Sequence, residues 1–163
     1  MAAATHTHKA DLVHENVSPQ QAEGVHPGHR IGVEIRSPDG AIWSGWAASL
    51  KVPESLGLMG ILPGHAPLVA SLDVGLTTIR EEGGRELRLI TGAGFLEIDR
   101  NRVLMLVDFG EDPAKVDVAR AREARDRALA RLRSADEAVD TIRAEAALQR
   151  ALVRLRFGPS IGD

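Results

Sequence analysis

From Ile31 to Asp108 the large apolar residues fall in short runs rich in Val, Ile, Leu and Thr, divided by Gly-, Pro- and Asp-containing turns at intervals of about ten residues. Ile31, Val33 and Ile35 alternate with Gly32, Glu34 and Arg36, so one face of this strand is apolar and the other wet, as in an antiparallel sheet lying on a core. Ser37-Pro38-Asp39-Gly40 supplies a turn, with Pro presetting φ and Gly relieving the steric cost, so the next strand, Ile42 to Val52, doubles back. Further strands are predicted at Pro67–Leu72, Leu76–Glu81, Glu86–Thr91, Gly94–Ile98 and Arg102–Val107. Many short strands with no helix between them make a sandwich or a barrel.

After Asp108 the apolar period lengthens to that of a helix, and the composition turns to Ala, Arg, Glu and Leu, the strongest helix formers. Val118, Ala121, Ala124, Ala128 and Leu132 mark one stripe, and Val139, Ile142, Ala146, Leu148, Leu152 and Leu155 a second. Ser134-Ala135-Asp136-Glu137 fits a capping box that starts the second helix near Ala135. Gly158-Pro159 ends it, Gly being suited to a left-handed cap. The product is an antiparallel helical hairpin. Because its stripes are rich in Ala, above all the first, it buries modest surface, and its docking is expected to be conditional.

Residues 1–29 hold few large apolar side chains and are expected to form a disordered tail. The His6-Thr7-His8 pair could loosely hold a metal, but a structural site needs three or four ligands held by a fold, so no metal is expected. The chain thus divides into a tail (1–29), a β domain (30–112), a helical hairpin (113–157) and a short end (158–163). Cysteine is absent, which removes disulfides, thiolate metal sites and thiol nucleophiles. Aromatic residues are only 3% of the chain and the net charge is −3, so stacking platforms and polyanion attraction are both lacking and no nucleic acid is expected. No apolar run reaches the roughly 20 residues that span a bilayer. The first Arg is Arg30, after Asp11, Glu15 and Glu23, which is unlike a transit peptide and points to a bacterial cytoplasmic location.

Candidate catalytic chemistry is sparse. His65 sits in a Gly- and Pro-rich turn with no Ser, Asp or Glu close by in sequence, so its ring is expected to bond neighbouring backbone. Glu81-Glu82 and Glu111-Asp112 are adjacent pairs, and adjacent strand residues point to opposite faces, so neither makes an acid–base dyad. Neither a phosphate-binding Gly-rich loop with its Lys nor a His-Glu-x-x-His zinc helix occurs.

The run Gly57-Leu58-Met59-Gly60-Ile61-Leu62-Pro63-Gly64-His65-Ala66-Pro67-Leu68 closely resembles the signature of the F-type ATP synthase epsilon subunit. Leu72-Asp73-Val74-Gly75-Leu76 with Ile79, Gly92-Ala93-Gly94-Phe95-Leu96-Glu97-Ile98, Asn101-Arg102-Val103 and Asp117-Val118-Ala119-Arg120-Ala121 are similar to the same family in the same order. The resemblance implies an antiparallel β sandwich of about ten strands followed by a C-terminal two-helix hairpin. It implies a non-catalytic subunit of the rotating central stalk that couples ion flow to ATP synthesis and restrains ATP hydrolysis through the hairpin. The implied partners are the gamma subunit, the c-ring of the membrane rotor and, when the hairpin is extended, the alpha and beta subunits. The implied location is peripheral, at the cytoplasmic face of the bacterial inner membrane.

No cofactor is required, but ATP is a possible regulatory ligand. ATP-binding members of the family carry a Glu before the hairpin, an Asp-x-x-Arg-Ala motif and further arginines, and this chain is similar at Glu111, Asp117, Arg120, Arg127, Arg150 and Arg154, with Val116 where Ile or Leu is usual. Arg120 and Arg127 lie two helical turns apart and Arg150 and Arg154 one turn apart, so each pair shares a face and could neutralise a triphosphate. The competing reading of these arginines is a solvated surface paired with neighbouring acids. Between Lys115 and Arg156 there are ten Arg and one Lys against seven acids, a net +4. Two other classes are weighed against the stalk role. A carbohydrate-binding or adaptor sandwich would need exposed aromatics, of which Trp43 and Trp46 are the only tryptophans, and a hydrolase would need a partner for His65.

Overall fold

The structure, a computed structural model, describes residues 29–134 and 140–160. The expected tail, apart from His29, and with it His6 and His8, lies outside the described residues, as do Ala135 to Val139. Among the described residues ten strands form two sheets: β1 (Ile31–Ser37), β2 (Gly40–Ala47), β3 (Ser49–Glu54), β4 (Gly57–Ile61), β5 (Leu68–Leu72), β6 (Gly75–Arg80), β7 (Glu86–Thr91), β8 (Gly94–Asp99), β9 (Arg102–Val107) and β10 (Gly110–Glu111). The first sheet runs β2-β1-β9-β8-β5 and the second β10-β7-β6-β3-β4. Neighbours are antiparallel except β1 and β9, which are parallel. The sheets face each other over Ile31, Val33, Ile35, Trp43, Leu50, Val52, Ile61, Ile79, Leu89, Leu96, Ile98 and Met105, all buried. The buried Thr77 and Thr91 satisfy each other through a hydroxyl–hydroxyl hydrogen bond of 2.8 Å.

The expected strand Ile42–Val52 is two strands. It breaks at Ala48, whose N–H donates to the carbonyl of Arg80 (2.7 Å), and there the chain passes from the first sheet to the second. The apolar pattern runs on across the break because both strands feed one core. β4 and β10 are additional to the expected set. In β4 only Ile61 is buried and two of five residues are Gly, so alternation is faint, and β10 is two residues long.

A 3-10 turn (Pro113–Lys115), capped by the Asp112 side chain on the Ala114 N–H, leads into α1 (Val118–Arg133). α2 follows at Thr141–Phe157, and the two helices pack together as a hairpin. The helix ends differ from expectation. Ser134 is the C-cap of α1, and α2 takes its cap from Asp140, whose carboxylate accepts from the Arg143 N–H at 3.0 Å. Gly158 is not left-handed, with φ at −67°. It is Gly because a Cβ there would come to 2.6 Å from the Arg154 carbonyl oxygen and 3.0 Å from Val116.

The second stripe also shifts. Ala144 and Ala151 are the buried residues of α2, matched by Ala121 and Ala128 on α1, while Ile142, Ala146 and Leu152 are exposed. Leu76 and Ile90 pair across β6 and β7 on the outer face of the second sheet, away from the core. Ile90 is nevertheless 0% exposed, because α2 lies against β6 and β7 there. Glu111, in register with Ile90, shares that face.

Candidate functional site

The root of the hairpin meets the second sheet at a groove of about 540 Å³. Glu111, Lys115, Val116, Asp117, Arg120, Ala121, Ala124, Arg127 and Arg154 line it. Five of the six candidate residues are therefore brought together: Glu111 from the edge strand β10, Asp117 from the α1 cap, Arg120 and Arg127 from α1, and Arg154 from α2. The helix period explains the pair on α1, two turns apart on one face. Arg150, one turn before Arg154, is half-buried and is not a lining residue. Val116 is buried in the wall.

Within this groove Arg154 donates from Nε to Glu111 Oε1 (2.6 Å), and its guanidinium carbon stands 4.8 Å from the centroid of the Phe109 ring. Both charged side chains of this pair are about 30% exposed, at 30% and 31%, so the pair is partly shielded from water. Asp117 spends one carboxylate oxygen on the Arg120 N–H (2.9 Å) as the cap of α1. That bond anchors the first turn and sets Arg120 at the groove. Four cationic residues, Lys115, Arg120, Arg127 and Arg154, thus line the groove together with two acids, Glu111 and Asp117.

Other hairpin arginines are paired with neighbouring acids, as in the competing reading. Arg143 meets Asp140 at 3.0 Å, and Arg125 meets Asp126 at 2.8 Å. The Arg125 hydrogen bond holds the Asp126 carboxyl below the ordinary carboxylate range. Arg127 belongs to both sets, since it lines the groove and meets Glu123 at 3.4 Å.

The remaining candidate chemistry disperses. His65 Nδ1–H donates to the Ala66 carbonyl (2.8 Å), as expected for a turn histidine. Glu81 faces Arg85 at 3.9 Å and Glu82 faces Arg30 at 3.8 Å, so this adjacent pair has separate partners. Trp43 is buried, and Trp46 lies under the Arg30 guanidinium at 4.7 Å, which leaves neither as an open stacking platform. Among the described residues no cluster of three or more His, Asp or Glu could hold a metal, and no helix is long and apolar enough to cross a membrane.

Two features escaped sequence reasoning. One is Phe109, an isolated aromatic between strands with no pattern to mark it. The other is an apolar strip on the outer face of the first sheet, where Phe95 (65% exposed) stands opposite Leu106 (51%), with Val69 (71%) on the neighbouring strand. The signal was present as apolar residues at the outward positions of β5, β8 and β9, but it could be read only once the register was known.

Comparison with known proteins agrees with this architecture. Residues 30–113 match the family described as ATP synthase, Delta/Epsilon chain, beta-sandwich domain, and residues 115–157 match ATP synthase, Delta/Epsilon chain, long alpha-helix domain. The ATP synthase epsilon chain of Lawsonia intracellularis is 42% identical over 107 residues, 66% of this chain and 80% of that one. That of Moorella thermoacetica is 40% identical over 103 residues, 63% and 77% of the two chains. Among solved structures, a chain of the Euglena gracilis mitochondrial ATP synthase (OSCP/F1/c-ring) superposes with a TM-score of 0.70 at 24% identity, covering 80% of this chain and 82% of that one, a likeness of fold.

Proposed function

The chain belongs to the ATP synthase delta/epsilon family, on its epsilon branch, and from that premise we propose that it is a non-catalytic stalk subunit whose hairpin senses ATP and thereby regulates hydrolysis. The observation that carries the regulatory part is the groove at the hairpin root, where Arg120, Arg127 and Arg154 converge beside Glu111. Three guanidinium groups suit a triphosphate through forked, charge-assisted hydrogen bonds, and a carboxylate can accept from an adenine amino group or orient an arginine. Arg150 would join them through a modest side-chain movement on the same face of α2.

Because the groove is built from both helices and the sheet edge, ATP would bind the compact hairpin and not an extended one. Such a ligand stabilises the compact form by RT ln(1 + [L]/Kd), about 1.4 kcal/mol at ten times the dissociation constant, a tenfold shift in the population. In the extended form the cationic helices would meet acidic surface on the alpha and beta subunits and arrest rotation. The sandwich carries assembly. Its outer strip of Val69, Phe95 and Leu106 suits the gamma subunit, and the exposed Leu56 and Leu58 at the β3–β4 turn suit the c-ring. This role makes the protein peripheral to the membrane, on the cytoplasmic face of a bacterial inner membrane.

Calorimetric titration of the isolated protein with ATP is expected to show saturable one-site binding, lost in an Arg120→Ala, Arg154→Ala variant. Absence of saturation up to millimolar ATP, or undiminished binding in the variant, removes ATP sensing from the account.

A further inference from the structure

We propose that Phe109 is a positioning residue for the anion groove, holding the Arg154 guanidinium flat so that its terminal amino groups face the ligand; this rests on the ATP reading above. Arg154 is confined on two sides. Its Nε donates to Glu111 Oε1 (2.6 Å), and its guanidinium lies 4.8 Å from the Phe109 ring centroid, within cation–π range. With Nε spent on Glu111, the terminal amino groups are the donors left for a phosphate.

The ring is itself held. Gly92 N–H donates to the Phe109 carbonyl (2.9 Å), and a Cβ at Gly92 would come to 2.8 Å from Phe109 Cδ1. Gly92 thus makes the space in which the ring lies against the sheet. A free arginine has many rotamers, and each must be given up when a ligand binds. The Phe109–Glu111 clamp removes that freedom beforehand, so the groove is preorganised at its α2 side. The clamp also joins α2 to the sandwich directly, because Phe109 and Glu111 belong to the β domain and Arg154 to the hairpin.

The test uses the full chain with Phe109→Leu, which keeps apolar volume but has no π face, and Phe109→Tyr, which keeps the face. Two readouts are taken: calorimetric ATP affinity, and the Arg154 Nε–H resonance of the nucleotide-free protein, which the ring current of Phe109 displaces. Phe109→Leu is expected to weaken ATP binding roughly three- to tenfold and abolish the displacement, while Phe109→Tyr restores both. Gly92→Ala, which leaves Phe109 in the chain but displaces its ring, is expected to act as Phe109→Leu does. Wild-type affinity in Phe109→Leu, or an unchanged Nε–H resonance, overturns the positioning role. If the wild-type protein binds no ATP, the ATP reading falls, and the resonance alone still decides whether Phe109 holds Arg154.

Discussion

Asn101 ties two separate segments, the Gly64 turn and the start of β1, to its own turn. It follows Arg100 in the two-residue β8–β9 turn, and both have positive φ, 45° and 60°, as a primed hairpin turn requires. Its Oδ1 accepts from the Gly64 N–H (2.9 Å), its Nδ2 donates to the Arg30 carbonyl (2.7 Å), and its own carbonyl accepts from the Gly32 N–H (3.1 Å). Asn is among the residues that tolerate the left-handed region, and its amide supplies a donor and an acceptor together. Asn101→Ala removes two hydrogen bonds and adds backbone strain, at about 1 kcal/mol for each, so a loss of about 2–4 kcal/mol is expected from urea unfolding. Asn101→Gly relieves the strain and should lose less. A change below about 0.5 kcal/mol for the Ala variant, the range of an ordinary surface substitution, would show that Asn101 is not a tie point. Both the Gly64-His65 turn and Asn101-Arg102-Val103 stand out in the sequence. Their contact does not, since 37 residues separate Gly64 from Asn101 and only the sheet pairing closes the gap.

Among the elements, those with strong alternation or strong helix composition were legible, and the alanine packing of the hairpin was legible on its first helix only. β1, β7 and β9 follow their expected ranges because large apolar residues alternate along them or fill their buried ends. On α1 the expected stripe includes the buried Ala121 and Ala128, but on α2 Ile and Leu dominate the apolar pattern, whereas the seam there is made by Ala144 and Ala151. Small side chains allow close approach of the helices and so occupy the contact, which leaves Ile142 and Leu152 outside. The candidate residues were named as a set by the family resemblance; Arg120 and Arg127 share one helical face by period, but that Glu111 meets Arg154 follows only from the docking of α2 on the sheet. The seam makes a direct prediction. Ala144→Leu or Ala151→Leu overpacks the contact and should cost roughly 1–3 kcal/mol, seen as faster amide exchange throughout α2. Ala146→Leu, on the exposed side of the same helix, should leave exchange unchanged. Equal protection in all three variants would show that the alanine seam does not hold the hairpin closed.

At the scale of the molecule the two sheets differ in their outer faces. The outer face of the first sheet presents Val69, Phe95 and Leu106 openly, whereas that of the second is covered by α2, which buries Ile90 completely. The surfaces proposed for assembly and for regulation therefore lie on opposite sides of one core, and a change at the second need not disturb the first. Releasing the hairpin uncovers Ile90 and Leu76 and breaks the Arg154–Glu111 contact. Exposing Ile90 alone costs roughly 1.5–3 kcal/mol, a gap that ATP at a few tens of times its dissociation constant would about double. Under the proposed role, contacts of the extended hairpin with the alpha and beta subunits would have to offset this gap, and bound ATP would raise what they must offset. Removing residues 114–163 should accordingly leave binding to the cognate gamma subunit intact while raising ATP hydrolysis by the reconstituted complex, most visibly at low ATP, where the intact chain would be extended and inhibitory. Phe95→Glu with Leu106→Glu should do the reverse, weakening gamma binding at least tenfold, the loss expected when charge enters the centre of an apolar contact, while the isolated chain keeps its ATP affinity. The two variants are read together by pull-down, hydrolysis and calorimetry. Unchanged hydrolysis in the truncated complex removes inhibition by the hairpin, and loss of gamma binding in a truncated chain that remains folded shows that the two faces are not independent.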